Sequence, residues 1–219
     1  MKYSILAAAT AAAFALTPIS ASAVTASLGG TSTTVPDFGD EAGENDFIDS
    51  LTAAFSGGTL GFVTGGTISL SAPGKLIFTE VAAESGFGND FFVGTQEMTE
   101  TNNTNPFGTG ENFLTFSGGE TFTTAFGAGA VSGPTFTNNE SPATVATLGD
   151  TEFGIFFDST LTEHKTFFLA FDDNGAGPDD NHDDYIVRVE VVPVPLGALL
   201  IGTAFLGAGA VRRFGRKAA

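Results

Sequence analysis

Apolar residues in this chain arrive in short bursts, each closed within a few residues by Gly, Asn, Asp or Pro. Bursts bounded in that way build strands and tight connections, whereas a helix needs a longer run with an apolar stripe at about 3.6-residue spacing. The candidate strands are Phe47 to Phe55, Thr67 to Ala72, Lys75 to Val81, Phe91 to Met98, Asn112 to Phe116, Thr121 to Phe126, Thr144 to Leu148, Phe153 to Asp158, Thr166 to Phe171 and Tyr185 to Val192. Alternation is clearest in Asn112 to Phe116 and Thr121 to Phe126, and Ser117-Gly118-Gly119-Glu120 between them reads as the loop of a hairpin. Strands of this number and spacing predict an all-β fold, an antiparallel β-sandwich of the jelly-roll type. No fixed repeat period is evident, so a β-helix is the minority reading.

Phe supplies the core: there are 23 of them, no Trp, and Tyr185 is the one Tyr beyond the first few residues. With no Cys, the fold has no disulfide to lean on and depends on packing or on a bound metal. Gly29 to Glu44, polar and acidic with Pro36, reads as an irregular entry into the domain, and Thr99 to Gly110 as its long exposed loop.

The two ends differ sharply from the middle. Residues 1–23 carry Lys2, an apolar run from Ile5 to Leu16, a break at Pro18, and Ala21-Ser22-Ala23. That order is a cleaved N-terminal signal helix with a small-residue cleavage site, so the mature chain starts near Val24. At the other end, Val194 to Val211 is 18 residues without a charge, followed by Arg212, Arg213, Arg216 and Lys217. As a C-terminal transmembrane helix it is about 27 Å long, enough for a bilayer core. The basic end stays cytoplasmic and leaves everything before Pro193 outside, in agreement with the signal peptide.

Between the ends, residues 24–192 are enough for one domain. All 25 acidic residues of the chain fall there, against Lys75, Lys165 and Arg188, a net charge of −22. Nucleic acid, which needs a basic face, is excluded as a partner; divalent cations and basic partners suit such a surface.

Val192-Pro193-Val194-Pro195-Leu196, with the apolar span and the basic cluster after it, resembles the VPLPA-CTERM variant of the PEP-CTERM sorting signals. The named pattern has Val-Pro-Leu-Pro-Ala where this chain has Val-Pro-Val-Pro-Leu. The resemblance covers residues 193–219 and the end of the preceding strand. It implies an exosortase-type processing enzyme that acts near the motif on an inner-membrane-anchored precursor, and a destination at the cell surface or outside the cell. The acidic segment and strand from Phe167 to Val192 are similar to the last part of many such surface proteins.

Catalytic signatures are absent. His164 and His182 are the only histidines, and neither G-x-S-x-G nor H-E-x-x-H spacing occurs. With so many acids, paired carboxylates for glycoside hydrolysis arise by chance. The expectation is therefore a non-enzymatic surface or matrix protein associated with exopolysaccharide. The alternative is a carbohydrate-binding or carbohydrate-active module, against which stands the use of Phe where sugar stacking favours exposed Trp and Tyr.

One segment concentrates ligand chemistry. In Asp172 to Asp184, nine of thirteen side chains bear a carboxylate, amide or imidazole, and Gly and Pro supply the bend. Oxygen donors of that kind suit Ca2+. Asp179-x-Asn181-x-Asp183 has the first EF-hand spacings, yet Asp184 stands where the turn Gly belongs and Glu190 is too far along a strand to return. The candidate is instead a loop site of Asp172, Asp179, Asn181, Asp183 and Asp184. A solvated acidic turn, with His182 facing water, is the competing reading.

Overall fold

A computed structural model of the protein describes residues 23–33, 47–55, 58–83, 85, 87–100, 119–173, 182 and 184–194. These lie in one compact unit, Ala23–Val194. The signal helix, the transmembrane helix and the basic end at Arg212, Arg213, Arg216 and Lys217 lie outside the described residues.

The domain is all-β and antiparallel. Its strands are β1 (Ala26–Thr33), β2 (Leu60–Leu70), β3 (Gly74–Ala82), β4 (Asn89–Val93), β5 (Gln96–Thr99), β6 (Thr121–Phe126), β7 (Gly129–Ala130), β8 (Pro134–Asn138), β9 (Val145–Thr147), β10 (Phe153–Asp158), β11 (Thr166–Phe171) and β12 (Tyr185–Pro193), with one helix, α1 (Phe47–Ala54). The large sheet runs β1-β2-β10-β11-β12-β3-β6 with β7 beside β2, and the small sheet runs β5-β4-β8-β9. A jelly roll divides its strands evenly between two sheets; among the described residues the division is eight and four. Long β2 pairs with β10 through Leu60 to Thr64 and with β7 at Ser69 and Leu70. Because only Gly127 and Ala128 separate β7 from the marginal strand β6, the large sheet must curl toward its own opposite margin.

Alternation along the strands explains the layers. In β11, Phe167, Leu169 and Phe171 face the small sheet, where they meet Phe91, Met98, Phe136 and Ala146. Phe168 and Ala170 point the other way and join Phe62, Phe156 and Ile186 under α1. Phe136 ties the sheets together: its ring lies 4.8 Å from Phe91, its neighbour on the small sheet, and 5.1, 5.2 and 5.7 Å from Phe153, Phe171 and Tyr185 on the large one.

Two strand expectations need correction. Phe47 to Phe55 is helical: Leu51, Ala54 and Phe55 are buried while Thr52 and Ala53 are exposed, which is the i, i+3, i+4 stripe of a helix lying on a sheet. Phe91 to Met98 is a hairpin rather than one strand. Gly94 has φ of 67°, which suits the first turn position of a type II′ connection, and Val93 pairs with Gln96 across it. Part of the supposed irregular entry, Gly29 to Thr33, belongs to β1, and β8 was not anticipated. Thr121 to Phe126 pairs with β3, while its expected partner Asn112 to Phe116 lies outside the described residues, as does most of the Thr99 to Gly110 loop.

The two ends of the domain meet. Pro193 pairs with Gly74, and a Cβ on Gly74 would lie 2.9 Å from Val24 Cγ1 and 3.4 Å from the Val192 carbonyl oxygen, so glycine is what allows the approach. Val24, Thr25 and Ala26 are buried; Thr25 N–H donates to Ser71 Oγ at 3.1 Å, and Ala26 exchanges both backbone hydrogen bonds with His164 at 2.8 Å.

Truncating the ring that joins the sheets leaves a cavity that the surrounding Phe side chains cannot close. Phe136→Ala is expected to lower unfolding free energy by about 3–5 kcal/mol in denaturant titration, against under about 0.5 kcal/mol for the exposed control Val145→Ala.

Candidate functional site

The same alternation that builds the core carries polar side chains into it at one end. On the large sheet, Leu76 and Phe78 of β3 face inward and Glu80 continues that face, opposite Val187. Asp173 continues the inward face of β11. From the small sheet, Asn89 follows the parity of Phe91, Asn138 that of Phe136, and Glu100 that of Met98. Glu80, Asn89, Asn138 and Asp173 are each under 5% exposed, so this is an internal box.

Hydrogen bonds pin its members. Asn138 Nδ2–H donates to the Asp173 carbonyl at 2.9 Å, while Asn138 Oδ1 accepts from Thr144 N–H at 2.8 Å. Ser85 Oγ–H donates to Asp173 Oδ2. Asp184 Oδ2 accepts from Asp173 N–H at 2.7 Å, and Asn89 Nδ2–H donates to the Asp184 carbonyl at 3.3 Å. Glu120 N–H donates to Glu80 Oε2 at 3.3 Å. Glu100 closes the β4–β5 hairpin: its N–H donates to the Asn89 carbonyl at 2.8 Å, and its Oε2 accepts from Asn89 N–H at 3.0 Å.

The electrostatics separate this box from the acidic exterior. Asp150 and Asp158 sit on surface turns, where hydrogen bonds from Thr147 and Thr160 hold their carboxyls below the usual range. Glu100 goes the other way. Burial pushes it up from 4.5 to about 7; hydrogen bonds from Asn89 oppose the rise, and the charges of Glu80 and Asp173 add to it. The Tyr185 phenol is also raised, first by burial and then by Glu80, Glu100, Glu120 and Asp90. The charged neighbours that raise these two groups, Glu80, Glu100, Glu120, Asp90 and Asp173, are all anions.

No family model, curated protein or solved structure matches the chain.

The expected calcium loop opens from this box. Of its five candidate ligands, Asp172 and Asp184 are described and are 2% and 8% exposed. Asp179, Asn181 and Asp183 lie outside the described residues. Asp172 N–H donates to the Glu152 carbonyl at 3.1 Å, so both feet of the loop are fixed. His182 does not face water. It is 3% exposed, its ring meets Phe62 edge-on at 5.1 Å, and Nε2 lies 2.9 Å from the Thr151 carbonyl oxygen. Among the described residues, no three His, Cys, Asp or Glu side chains come together as a metal site, and no helix is long and apolar enough to cross a membrane. Of the sorting motif, Val192 and Pro193 are the last residues of β12, paired with Lys75 and Gly74; Val194 follows, and Pro195 and Leu196 lie outside the described residues.

Sequence reasoning missed Glu80, Asn89, Glu100 and Asn138, which stand far apart in the chain. Asn138 is the joint most exposed to test, because it bonds across two segments at once. Asn138→Ala strands the Thr144 N–H and the Asp173 carbonyl, and is expected to cost about 1–3 kcal/mol of stability in denaturant unfolding.

Proposed function

We propose that the chain is an exported, non-enzymatic cell-surface or extracellular-matrix protein whose acidic β-sandwich is displayed after processing at both ends. The observation that carries this reading is the meeting of Val24 and Val192 at Gly74. Strand β12 runs away from that point for nine residues, about 30 Å at strand rise, and the acidic box lies at its far end around Tyr185. A domain held at one end and presenting its acidic end outward suits a chain with a signal peptide in front and a sorting tail behind. An exosortase-type enzyme is the proposed processing partner, the membrane holds the precursor, and exopolysaccharide is the proposed surface partner, bridged by divalent cations. The carbohydrate-binding alternative draws less support, since the aromatic rings whose surroundings are described are all buried or half-buried.

Processing is tested on full-length chain produced in cells that display it. Intact-mass analysis of the surface form is expected to give a product that begins near Val24 and ends after Pro193, because an earlier cut would remove residues paired with Lys75 and Gly74. Retention of Arg212 to Ala219 in most displayed molecules would leave a simple membrane anchor in place of sorting.

Calcium at the loop of Asp172, Asp179, Asn181, Asp183 and Asp184 is part of the same reading. An ion that binds only the folded state adds about 2.7 kcal/mol at a hundredfold excess over Kd. Thermal melts of the full-length chain in detergent are expected to shift upward in calcium relative to chelator, and the Asp179→Ala, Asp183→Ala double variant to lose the shift. An unchanged melting temperature, or an equal shift in the variant, counts against the loop as a site.

A further inference from the structure

The connection from β10 to β11 buries a histidine. His164 is 4% exposed, its ring meets Phe157 edge-on at 5.2 Å, and its Nδ1 has no hydrogen-bond partner. Phe157 in turn packs on the core to which Val24 and Ala26 belong. The backbone of the same histidine holds the start of β1: Ala26 N–H donates to the His164 carbonyl and His164 N–H to the Ala26 carbonyl, both at 2.8 Å. This bridge stands apart from the sheet ladders, and Ala26 makes it while also pairing with Leu70 of β2. Ring and bridge therefore belong to one residue, and the ring cannot leave its pocket without pulling on Ala26.

A neutral imidazole has one bare nitrogen and one N–H. Nδ1 is the one to leave bare, because an N–H there would be a buried donor without an acceptor. Protonation puts a hydrogen on Nδ1 and a positive charge on the ring, so the buried atom becomes an unmet charged donor. The surrounding charges do not offset this. Strand β1 carries no titratable residue. From the end of β10, Asp158 favours the charged ring, but less than burial disfavours it, and Asp158 Oδ1 already accepts from Thr160 N–H at 2.9 Å and Thr160 Oγ1–H at 2.6 Å. Of the flanking residues, Lys165 is an exposed cation, and Glu163 is exposed and accepts from Thr25 Oγ1–H at 3.2 Å.

We propose that His164 is an acid-operated release for the start of β1: its neutral ring stays packed against Phe157 and keeps the bridge to Ala26, and its protonated ring turns out to water and breaks that bridge. Ala26 is then held from the β2 side alone. A freed β1 uncovers the edge of β2 from Thr67 to Leu70, on the side opposite β7, as a row of backbone groups open to pairing.

The direction with pH follows from the burial, which holds the imidazole below its ordinary value of 6.5 against the opposing charge of Asp158. A group that binds its proton less tightly in the folded chain than in the unfolded one stabilises the fold fully above 6.5, and that contribution is lost as pH falls from 6.5 through the lowered folded value.

Hydrogen-exchange mass spectrometry of the full-length chain in detergent tests the release. Between about pH 7.5 and about pH 5, exchange across Thr25 to Gly29 is expected to rise about tenfold relative to the intrinsic change with pH, while peptides from β11 follow the intrinsic change alone. His164→Phe keeps a flat ring against Phe157 and cannot take a proton, and its β1 is expected to stay protected at both values. A wild-type β1 with no excess exchange at the lower pH, or a His164→Phe variant whose β1 opens as the wild type's does, overturns the proposal. Should that variant fail to fold, ring 13C NMR of the wild-type chain decides, since His164 and His182 are its only histidines. A ring that titrates below 6.5 in step with the Ala26 amide signal supports the release, and the absence of such a ring rules it out.

Discussion

Strands β10, β11 and β12 are covered on both faces, by the small sheet on one side and by α1 with its neighbours on the other. Everything else follows from that double burial. A sheet with one wet face can place a polar residue at every second position; β11 does not, and Phe167 to Phe171 is an unbroken apolar run, whereas β12 carries Arg188 and Glu190 at alternate positions. In a chain without Cys, burial of that kind is the main source of stability, each large side chain contributing about 1.5–3 kcal/mol. It also fixes the register. A slip of one residue in β11 would exchange the Phe168 face with the Phe167 face, and the helix and the small sheet ask for different shapes.

Burial of this depth sets the terms for the polar groups caught in it. Glu80, Asn89, Asn138 and Asp173 sit on the inward parity of their strands, so none can turn to water without breaking a ladder. Their hydrogen bonds are therefore mostly to backbone groups at strand ends, where the ladders have run out: Asn138 to the Asp173 carbonyl, Asn89 to the Asp184 carbonyl, Glu80 to the Glu120 N–H. The box closes off the sandwich at the end remote from Gly74. Asn89 Oδ1, buried at that closure, has no hydrogen-bond partner.

The sequence was most legible where local and global demands agree. Phe153 to Asp158, Thr166 to Phe171 and Thr121 to Phe126 match their strands because each is a compact run flanked by turn formers, and nothing distant is needed to recognise it. Phe47 to Phe55 misled because a short amphipathic helix and a short strand look alike when the deciding fact, three residues at i, i+3 and i+4 against a sheet, is tertiary. Pro134 to Asn138 was missed because Pro at the head and Asn at the tail mimic a turn; Pro134 is tolerated at a strand's first residue, and Asn138 has left water for the box. The acidic loop stood out by composition alone. Glu80, Asn89 and Glu100 could not, because an isolated Glu or Asn after an alternating run reads as the solvent end of a strand, and parity tells in or out only once the sheet's two faces are known.

Parity also explains why the two ends of the sandwich differ in chemistry. At Gly74 the inward positions are Val24, Leu76 and Val191, all apolar, and the ends of the domain are pinned by backbone pairing to Ser71, His164 and Gly74. At the far end the inward positions turn acidic just as the strands run out, and the Asp172 to Asp184 segment leaves from there. Apolar packing and backbone ladders hold that end without charge. The opposite end is free to concentrate carboxylates, because the desolvation they suffer is met by the core laid down between Phe136, Phe153 and Phe171 rather than by any partner of opposite sign.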